Sequence, residues 1–205
     1  MMASFAQGSR FSLRWSLSAE AEADAALRPG QTRVSELRDR FPCGERVLVP
    51  DATKEAIDGL VDTSPADRHV LAAAKSAGIR VLVTRNVHDF GRDDLGEAGV
   101  SAVHPDLFLS AMVDGAGYRE SLEVMAEGRT RHPNTPEEMH AALAAGHPLL
   151  FQAMRGVYPG VEALPSTSEP PSEVFRGSRC LVCGRVLSDP ESLRLGVGPE
   201  CRRRS

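Results

Sequence analysis

The fold is decided by residues 67–90, which read DRHVLAAAKSAGIRVLVTRNVHDF. The stretch SPAD at 64–67 leads into it and is a typical helix start, with a capping serine, a proline in the first turn and an acid that can close a capping box. The sequence predicts a helix over Ala66–Ala77 that ends at Gly78. The apolar run Val81–Val83 comes directly after that helix, which is typical of a buried parallel strand.

The first half of the chain alternates predicted strands with predicted helices. Strands are predicted around Trp15, at Val47–Val49, at Val81–Val83 and at Gly99–Val103; the helices between and after them are at Ser18–Leu27, Thr32–Phe41, Thr53–Leu60, Ala66–Ala77 and Asp106–Val113. This alternation favours an α/β fold with a parallel sheet, and the strand Val81–Val83 is expected among its inner strands. Three further helices are predicted at Tyr118–Glu127, Pro136–Ala145 and Pro148–Arg155.

Charge is distributed unevenly along the 205 residues. The formal net charge is −4, which argues against a generally basic nucleic-acid binder. Residues 176–205, however, hold seven arginines against three acidic residues, a net +4 that leaves −8 for the rest. An acidic body with a basic tail fits a body that binds metal cations and a tail that meets an anion. No apolar run approaches the ~20 residues of a membrane span, and no signal peptide is recognisable, so the expected location is the cytoplasm.

Three polar side chains are expected to converge at one edge of the sheet. Asp67 opens its helix at the carboxyl side of the sheet, and Asn86 and Asp89 follow the end of Val81–Val83. Ligands of open α/β sheets bind outside the carboxyl ends of the strands, and clustered carboxylates bind hard divalent cations. Each residue also has a structural interpretation: Asp67 can cap its helix, Asp89 can be a loop residue, and Asn86 can bond its own turn.

Residues 60–113 resemble the C-terminal half of a PIN-type ribonuclease domain of the VapC toxin kind. The resemblance is carried by the helix of small residues after Asp67, the following strand, and the turn TRN-x-x-DF at 84–90. It is looser over 11–59 and over 114–156, which covers nearly all of the helical extension. It implies a PIN-like parallel sheet flanked by helices and a Mg²⁺- or Mn²⁺-dependent endoribonuclease that acts on RNA. It also implies the toxin of a toxin–antitoxin pair, with an antitoxin protein as partner and a homodimer as an open possibility.

The resemblance assigns four residues to the metal and RNA site. Asp67, Asp89 and Asn86 match the family's motif directly, and Glu22 matches the acid on the helix after the first predicted strand, with Glu20 as the alternative. The family's own first strand, which ends in a catalytic Asp, has no counterpart before Trp15. Either the stated start is too late, or the chain is a degenerate PIN protein that acts as an RNA- or protein-binding module. On both alternatives these 205 residues are expected to be a poor nuclease.

The last residues form a compact cysteine pattern, C-x-x-C-G at 180–184 followed by G-x-G-P-x-C at 196–201. This pattern is similar to zinc-knuckle and treble-clef-like motifs and to a short cysteine module at the ends of diverse bacterial proteins. Cys180, Cys183 and Cys201 are the expected Zn²⁺ ligands. The fourth ligand stays open among Cys43, Asp189, Glu200, the C-terminal carboxylate and a residue of a partner.

Two roles are open for this tail. It can be a clip that stabilises a segment too small to fold alone, or it can contact RNA or protein through Arg179, Arg185 and Arg202–Arg204. In a third hypothesis the tail is a zinc-ribbon nucleic-acid binder and the PIN part only dimerises. The predicted divisions are a PIN-like domain at 1–113, a helical extension at 114–157, a linker at 158–178 and the cysteine motif at 179–205. Because few contacts would cross such a linker, a cut near Pro170 is expected to leave the body folded.

Overall fold

The computed structural model describes residues 11, 13–28, 31, 33–34, 36, 48–127, 129–165 and 173–203. The strands are β1 (Trp15–Ser16), β2 (Leu48–Val49), β3 (Val81–Val83), β4 (Ser101–Val103) and β5 (Phe175–Arg176). The helices are α1 (Leu17–Ala25), α2 (Lys54–Asp58), α3 (Arg68–Ser76), α4 (Arg92–Ala98), α5 (Pro105–Met112), α6 (Gly115–Ala126), α7 (Pro136–Leu143), α8 (Pro148–Ala153), α9 (Pro190–Leu195) and α10 (Pro199–Arg202). The predicted helix Thr32–Phe41 falls largely outside the described residues, and Cys43 falls outside them altogether.

The strands form parallel pairs, as expected for an α/β protein. β1 pairs with β2, and β3 pairs with β4, in parallel, with Val81 opposite Ser101 and Val83 opposite Val103. β5 adds to the other side of β4 in the antiparallel sense, so the order is β3-β4-β5. Within the described residues, β4 is therefore the middle strand and is fully buried, whereas β3 lies at an edge and is half-buried. The expectation that Val81–Val83 is an inner strand is thus wrong for this part of the chain, because no other described strand pairs with the free side of β3.

The start of α3 differs from the predicted capping box. The helix begins at Arg68, and Asp67 occupies the N-cap position without a side-chain bond to the helix backbone. The carbonyl of Ser64 accepts the N–H of Asp67 at 2.9 Å, so residues 64–67 form a turn that precedes the helix. The carboxyl group of Asp67 therefore does not cap its own helix.

The three helices of the extension pack on the same core as the sheet. Thr135 caps α7 by accepting the N–H of Glu138, and Asp106 caps α8 by accepting the N–H groups of Leu149 and Leu150 at 2.9 and 2.8 Å. Asp106 belongs to α5, so this bond ties the extension to the helix that follows β4. The helical extension is therefore anchored to the α/β part by both apolar and polar contacts.

The C-terminal tail shares its apolar core with the body. The largest cluster of buried apolar side chains joins Val103 of β4 and helices α5 and α6 to the tail residues Phe175, Cys180, Leu181, Leu187 and Val197. A second cluster lies around α3 and α4 and includes Ala102. Successive side chains of a strand point to opposite faces, so Val103 packs in the first cluster and Ala102 in the second. Many contacts therefore connect the tail to the body, and the expectation of few crossing contacts is wrong.

Candidate functional site

The turn after β3 carries Asn86 and Asp89 and is fixed by its apolar residues. The Thr84 hydroxyl accepts the N–H of Asn86 at 3.1 Å, and a short 3₁₀ helix follows at Val87–Asp89. Val87 and Phe90 are fully buried and hold both ends of this 3₁₀ helix in the second core. Asp89 lies between these anchors with its side chain 27% exposed, while Asn86 is exposed and makes no capping bond.

A backbone bond brings the Asp89 turn against the segment that precedes α3. The carbonyl of Asp89 accepts the N–H of Ser64 at 2.7 Å, and Ser64 also bonds the side chain of Asp67. This contact brings the turn of Asp89 against the turn that ends at Asp67, although the two residues are 22 positions apart, and the charge of Asp89 acts on Asp67. A buried carboxylate, Asp94, supports the same segment by accepting the N–H groups of residues 61–63 at 2.7–3.3 Å.

Glu22 and His69 complete the surroundings of Asp67. Oε1 of Glu22 lies 3.1 Å from Nε2 of His69, an ion-pair distance without hydrogen-bond alignment. Partial burial, followed by the negative charge of Asp89, raises the pKa of Asp67; Glu22 adds to this effect, and His69 opposes it. Mutual repulsion of this kind is what a bound cation relieves. Glu20, the alternative to Glu22, accepts the indole N–H of Trp15 at 2.7 Å.

Asp51 is a further acidic residue near His69, after a strand of the separate pair β1–β2, that sequence reasoning missed. It follows β2, which runs parallel to β1, and it accepts both the N–H and the hydroxyl of Ser18 at 3.2 and 2.7 Å. The bonds from Ser18, with a smaller effect of the His69 charge, lower the pKa of Asp51. Its position two residues after a predicted strand was the available signal.

The carboxylates are more widely spaced than a closed metal site. Among the residues that the structure describes, the group of three or more potential ligands with all ligand atoms within 4.8 Å is Cys180, Cys183 and Cys201. A Mg²⁺ ion keeps several of its waters and is commonly held through one or two carboxylates. The donor set of Asp67, Asp89 and Glu22 fits that mode of binding by its oxygen chemistry and its mutual repulsion.

The three cysteines lie on two short backbone motifs. A tight turn at 180–185 carries the first two: the N–H of Cys180 bonds the carbonyl of Arg185, and the N–H of Gly184 bonds the carbonyl of Cys180, both at 2.8 Å. Gly184 has a φ of +73°, which glycine adopts without strain. Cys201 lies in α10, and the N–H of Gly198, its N-cap, points at the Cys180 sulfur at 3.5 Å.

The thiols have opposite tendencies to ionise. Burial works against ionisation of Cys180, but N–H groups from Gly198, Cys183 and Val182 outweigh it and lower the pKa of Cys180 to about 7. Burial and the neighbouring thiols raise the pKa of Cys201 to about 11. Three thiolates at this spacing repel one another unless a cation lies between them, and three thiolates with one further ligand are a usual structural Zn²⁺ donor set. The residues therefore fit a bound Zn²⁺.

Two of the candidate fourth ligands are engaged elsewhere. Asp189 caps α9 through Ser192 at 2.8 Å, and Glu200 pairs with Arg185 at 2.7 Å. Cys43 and the C-terminal carboxylate lie outside the described residues. Among the arginines expected to meet an anion, Arg185 pairs with Glu200, while Arg202 bonds Glu191 and the Val197 carbonyl. Part of the basic charge of the tail is thus neutralised within it.

One arginine of the tail reaches the Asp89 turn. Nη1 of Arg176 donates to the carbonyls of His88 at 3.0 Å and Phe90 at 2.8 Å, the two residues that flank Asp89. Its Nε donates to Glu173 at 3.1 Å, and Glu173 also pairs with Arg92 of α4 at 3.0 Å. Sequence reasoning had assigned Arg176 to a linker, so it did not connect this residue with the site.

Comparison with known proteins gives two partial matches. A protein of Mycobacterium tuberculosis (strain ATCC 25618 / H37Rv), provisionally named ribonuclease VapC50, is 34% identical over 97 residues, or 45% of this chain. The chain spans about half of that relative's length, 56%. Residues 171–205 match DUF6011, a family of unknown function. No solved structure matches the chain. Among the described helices, none has the length and apolar character needed to cross a membrane.

Proposed function

We propose that this chain is a metal-dependent endoribonuclease of the PIN type and the toxin of a toxin–antitoxin pair. The observation that carries the proposal is the contact of the Asp89 turn with the segment before α3, in which the Asp89 carbonyl accepts the N–H of Ser64 at 2.7 Å; the charges of Asp89 and Glu22 act on Asp67 there. The similarity to the relative named as a ribonuclease supports the same reading. RNA is the proposed substrate, and an antitoxin protein is the proposed partner.

Each residue of the proposed site has a separate task. Asp67 and Asp89 would hold a Mg²⁺ or Mn²⁺ ion through their carboxylate oxygens, and Glu22 and the amide of Asn86 would add further oxygen donors. When bound, the ion activates water and offsets the negative charge that develops on the phosphate. The 3₁₀ helix Val87–Asp89, held by two buried side chains, keeps Asp89 in place while substrate binds. His69 faces Glu22 and limits the repulsion between the acids before the cation arrives.

The test is Mn²⁺ binding followed by electron paramagnetic resonance, together with cleavage of a mixed-sequence RNA. Mn²⁺ binding is the primary readout, because these 205 residues are expected to cleave RNA poorly. We expect Asp67→Asn and Asp89→Asn to weaken Mn²⁺ binding and to lower the residual cleavage by about 10²–10³-fold, the usual cost of a lost charge-stabilising group. Asp58→Asn is the matched control, because Asp58 is an exposed carboxylate in α2. Growth arrest on expression, lost in Asp67→Asn but kept in Asp58→Asn, would support the toxin role. Mn²⁺ binding and cleavage that are indifferent to Asp67 would exclude the proposed site.

The tail supports a second proposal, a structural Zn²⁺ site. We propose that Cys180, Cys183 and Cys201 bind one Zn²⁺, since these are the described residues whose ligand atoms lie within 4.8 Å of one another. The internal pairing of Arg185 and Arg202 favours a stabilising clip over an RNA-binding surface. Purified protein should contain about one Zn²⁺ per chain, lost in Cys180→Ser. Loss of zinc also in Cys43→Ser would identify the fourth ligand, and a folded, metal-free tail would refute the clip.

A further inference from the structure

The turn that carries Asp89 is held from outside by a single guanidinium group. Arg176 donates from one nitrogen, Nη1, to the carbonyls of His88 and Phe90, and its side chain is only 18% exposed. The two N–H bonds of one guanidinium nitrogen diverge, so they can reach two carbonyls on either side of one residue. The orientation of the peptide group that precedes Asp89, and of the peptide group that follows Phe90, therefore depends on where Arg176 lies.

The position of Arg176 is set by the cysteine tail. The residue belongs to β5 and lies opposite Ala102 of β4, while its neighbour Phe175 lies opposite Val103. Next to it, a Cβ atom at Gly177 would collide with the side chain of Ser101, so only glycine allows the strands this close approach. Glu173 binds the guanidinium on its other side. Strand pairing, close packing and an ion pair thus fix Arg176 against the sheet.

A short chain of contacts links Arg176 to the cysteines. The ring of Phe175 packs against Gly196, where a Cβ would lie 2.7 Å from the ring carbon Cδ2. The carbonyl of Gly196 accepts the N–H of Leu181 at 2.9 Å, and Leu181 follows Cys180 directly. Phe175, Leu181 and Cys180 are all buried in the same apolar cluster. An ion that draws the three sulfurs together consequently stiffens the segment that supports β5.

We propose that Arg176 is a positioning residue for the carboxylate site, and that metal at the three cysteines strengthens cation binding at Asp67 and Asp89 through β5. This proposal rests on the proposed function, since it concerns the same carboxylates. On this proposal the cysteine tail stabilises the nuclease site and does not act as a separate module. Residues that orient a metal ligand from behind typically change metal affinity by about 10- to 100-fold.

The test measures Mn²⁺ affinity by electron paramagnetic resonance in the full chain, loaded with zinc. We expect Arg176→Ala to raise the Kd for Mn²⁺ by about 10- to 100-fold, and Arg176→Lys to recover part of the loss, since lysine keeps the charge but not the planar fork. Arg92→Ala is the matched control, because Arg92 pairs with Glu173 but is not bonded to the turn carbonyls. The control should change the Kd by less than about 3-fold, the order expected of an exposed ion pair. Circular dichroism checks that each variant is folded; should Arg176→Ala fail to fold, Arg176→Lys and Arg176→Gln are compared instead.

A double-mutant cycle tests the link to the cysteines. Cys183→Ser, which removes one sulfur, should weaken Mn²⁺ binding as Arg176→Ala does, and the double variant should be no weaker than either single variant. The inference would be overturned if the increase in Kd of the double variant equalled the product of the two single increases. It would also be overturned if either single variant bound Mn²⁺ as tightly as the wild type. If Asp67→Asn weakens Mn²⁺ binding but Arg176→Ala leaves the Kd unchanged, only the inference about Arg176 is overturned and the proposed function stands. A wild-type chain whose Mn²⁺ binding is absent or indifferent to Asp67 would overturn the proposed function with it.

Discussion

The carboxyl group of Asp67 lies half-buried at the start of α3, where burial and the charge of Asp89 raise its pKa above the usual 3.8. A raised pKa in the folded state means that the folded protein holds this proton more tightly than the unfolded chain does. The contribution of Asp67 to stability therefore falls as the pH rises from below the usual value through the raised one. Burial first, and the Asp89 charge second, therefore disfavour the ionised form of Asp67 in the folded protein, and a bound cation would offset that cost.

We predict that Asp67→Asn stabilises the metal-free protein at pH 7 and has little effect near pH 3, where the carboxyl group is protonated in both states. The gain should be up to about 1 kcal/mol, because the group is partly exposed. Thermal unfolding at both pH values measures it, with Asp58→Asn as control. Saturating Mg²⁺ should reverse the order, since only the wild type gains from binding. A variant less stable than the wild type in metal-free buffer at pH 7 would contradict this account.

Gly196 combines a left-handed backbone with a close neighbour. Its φ is +65°, it ends α9, and a Cβ would meet the ring of Phe175 at 2.7 Å. We predict that Gly196→Ala destabilises the protein by about 2–4 kcal/mol, the sum of backbone strain and overpacking. The measurement is denaturant unfolding. Gly146→Ala is the control, because a Cβ at Gly146 meets nothing within 4 Å and its φ is not left-handed. Equal effects of the two substitutions would rule out this explanation.

The residues of the site differ in how far the sequence could predict them. Asp67 and Asp89 could be placed on one edge because a helix start and a strand end flank them within a short segment. Asp51 was accessible by the same reasoning and was missed. Arg176 was not accessible, because its partners His88 and Phe90 lie 88 and 86 positions away. The hydrophobic periodicity of a sequence predicts local helices and strands, but it does not predict contacts between residues that lie so far apart along the chain.

The strands and helices predicted for the described part of the body are observed in the predicted order, with shifts at their ends, but helix α4 (Arg92–Ala98) was not predicted. Strand Gly99–Val103 is weak as a pattern, yet β4 is the most buried strand described. Its importance comes from pairing on both sides, which only the fold determines. Strand β5 escaped prediction because Phe175–Arg176 is two residues long and follows a segment rich in proline. Short strands of this kind form only where a buried edge is available to them.

Removal of β5 and the cysteine motif should damage the body. A chain that ends at Pro165 would expose the edge of β4 and lose the apolar tail residues of the main core. Each buried apolar side chain contributes about 1.5–3 kcal/mol, so we predict a loss on the order of 5 kcal/mol or more. Size-exclusion chromatography and thermal unfolding should show aggregation or a much lower Tm. If the truncated chain had the same Tm as the full chain, the tail would be an independent module and this prediction would be wrong.

Body and tail share one apolar core, so we expect them to unfold together. We predict a single unfolding transition of the zinc-loaded chain, followed by calorimetry and circular dichroism. Removal of zinc should lower the Tm of that whole transition, because ligand binding to the folded state stabilises everything that unfolds with it. Cys183→Ser should reproduce the lower Tm without chelator. If the chain unfolded in two separate transitions, and zinc changed the Tm of only the one with the smaller enthalpy, body and tail would not unfold together.

The antiparallel pairing of β5 has a consequence for how two copies of this chain can meet. An antiparallel strand added to the edge of a sheet needs no crossover helix, so its partner can in principle come from another molecule. Tail exchange between two chains would keep every contact of Phe175 and Arg176 and would replace only the covalent connection. Exchange of an identical element is a low-cost route to a dimer. Assembly by swapping would then place the arginine of one copy behind the carboxylates of the other.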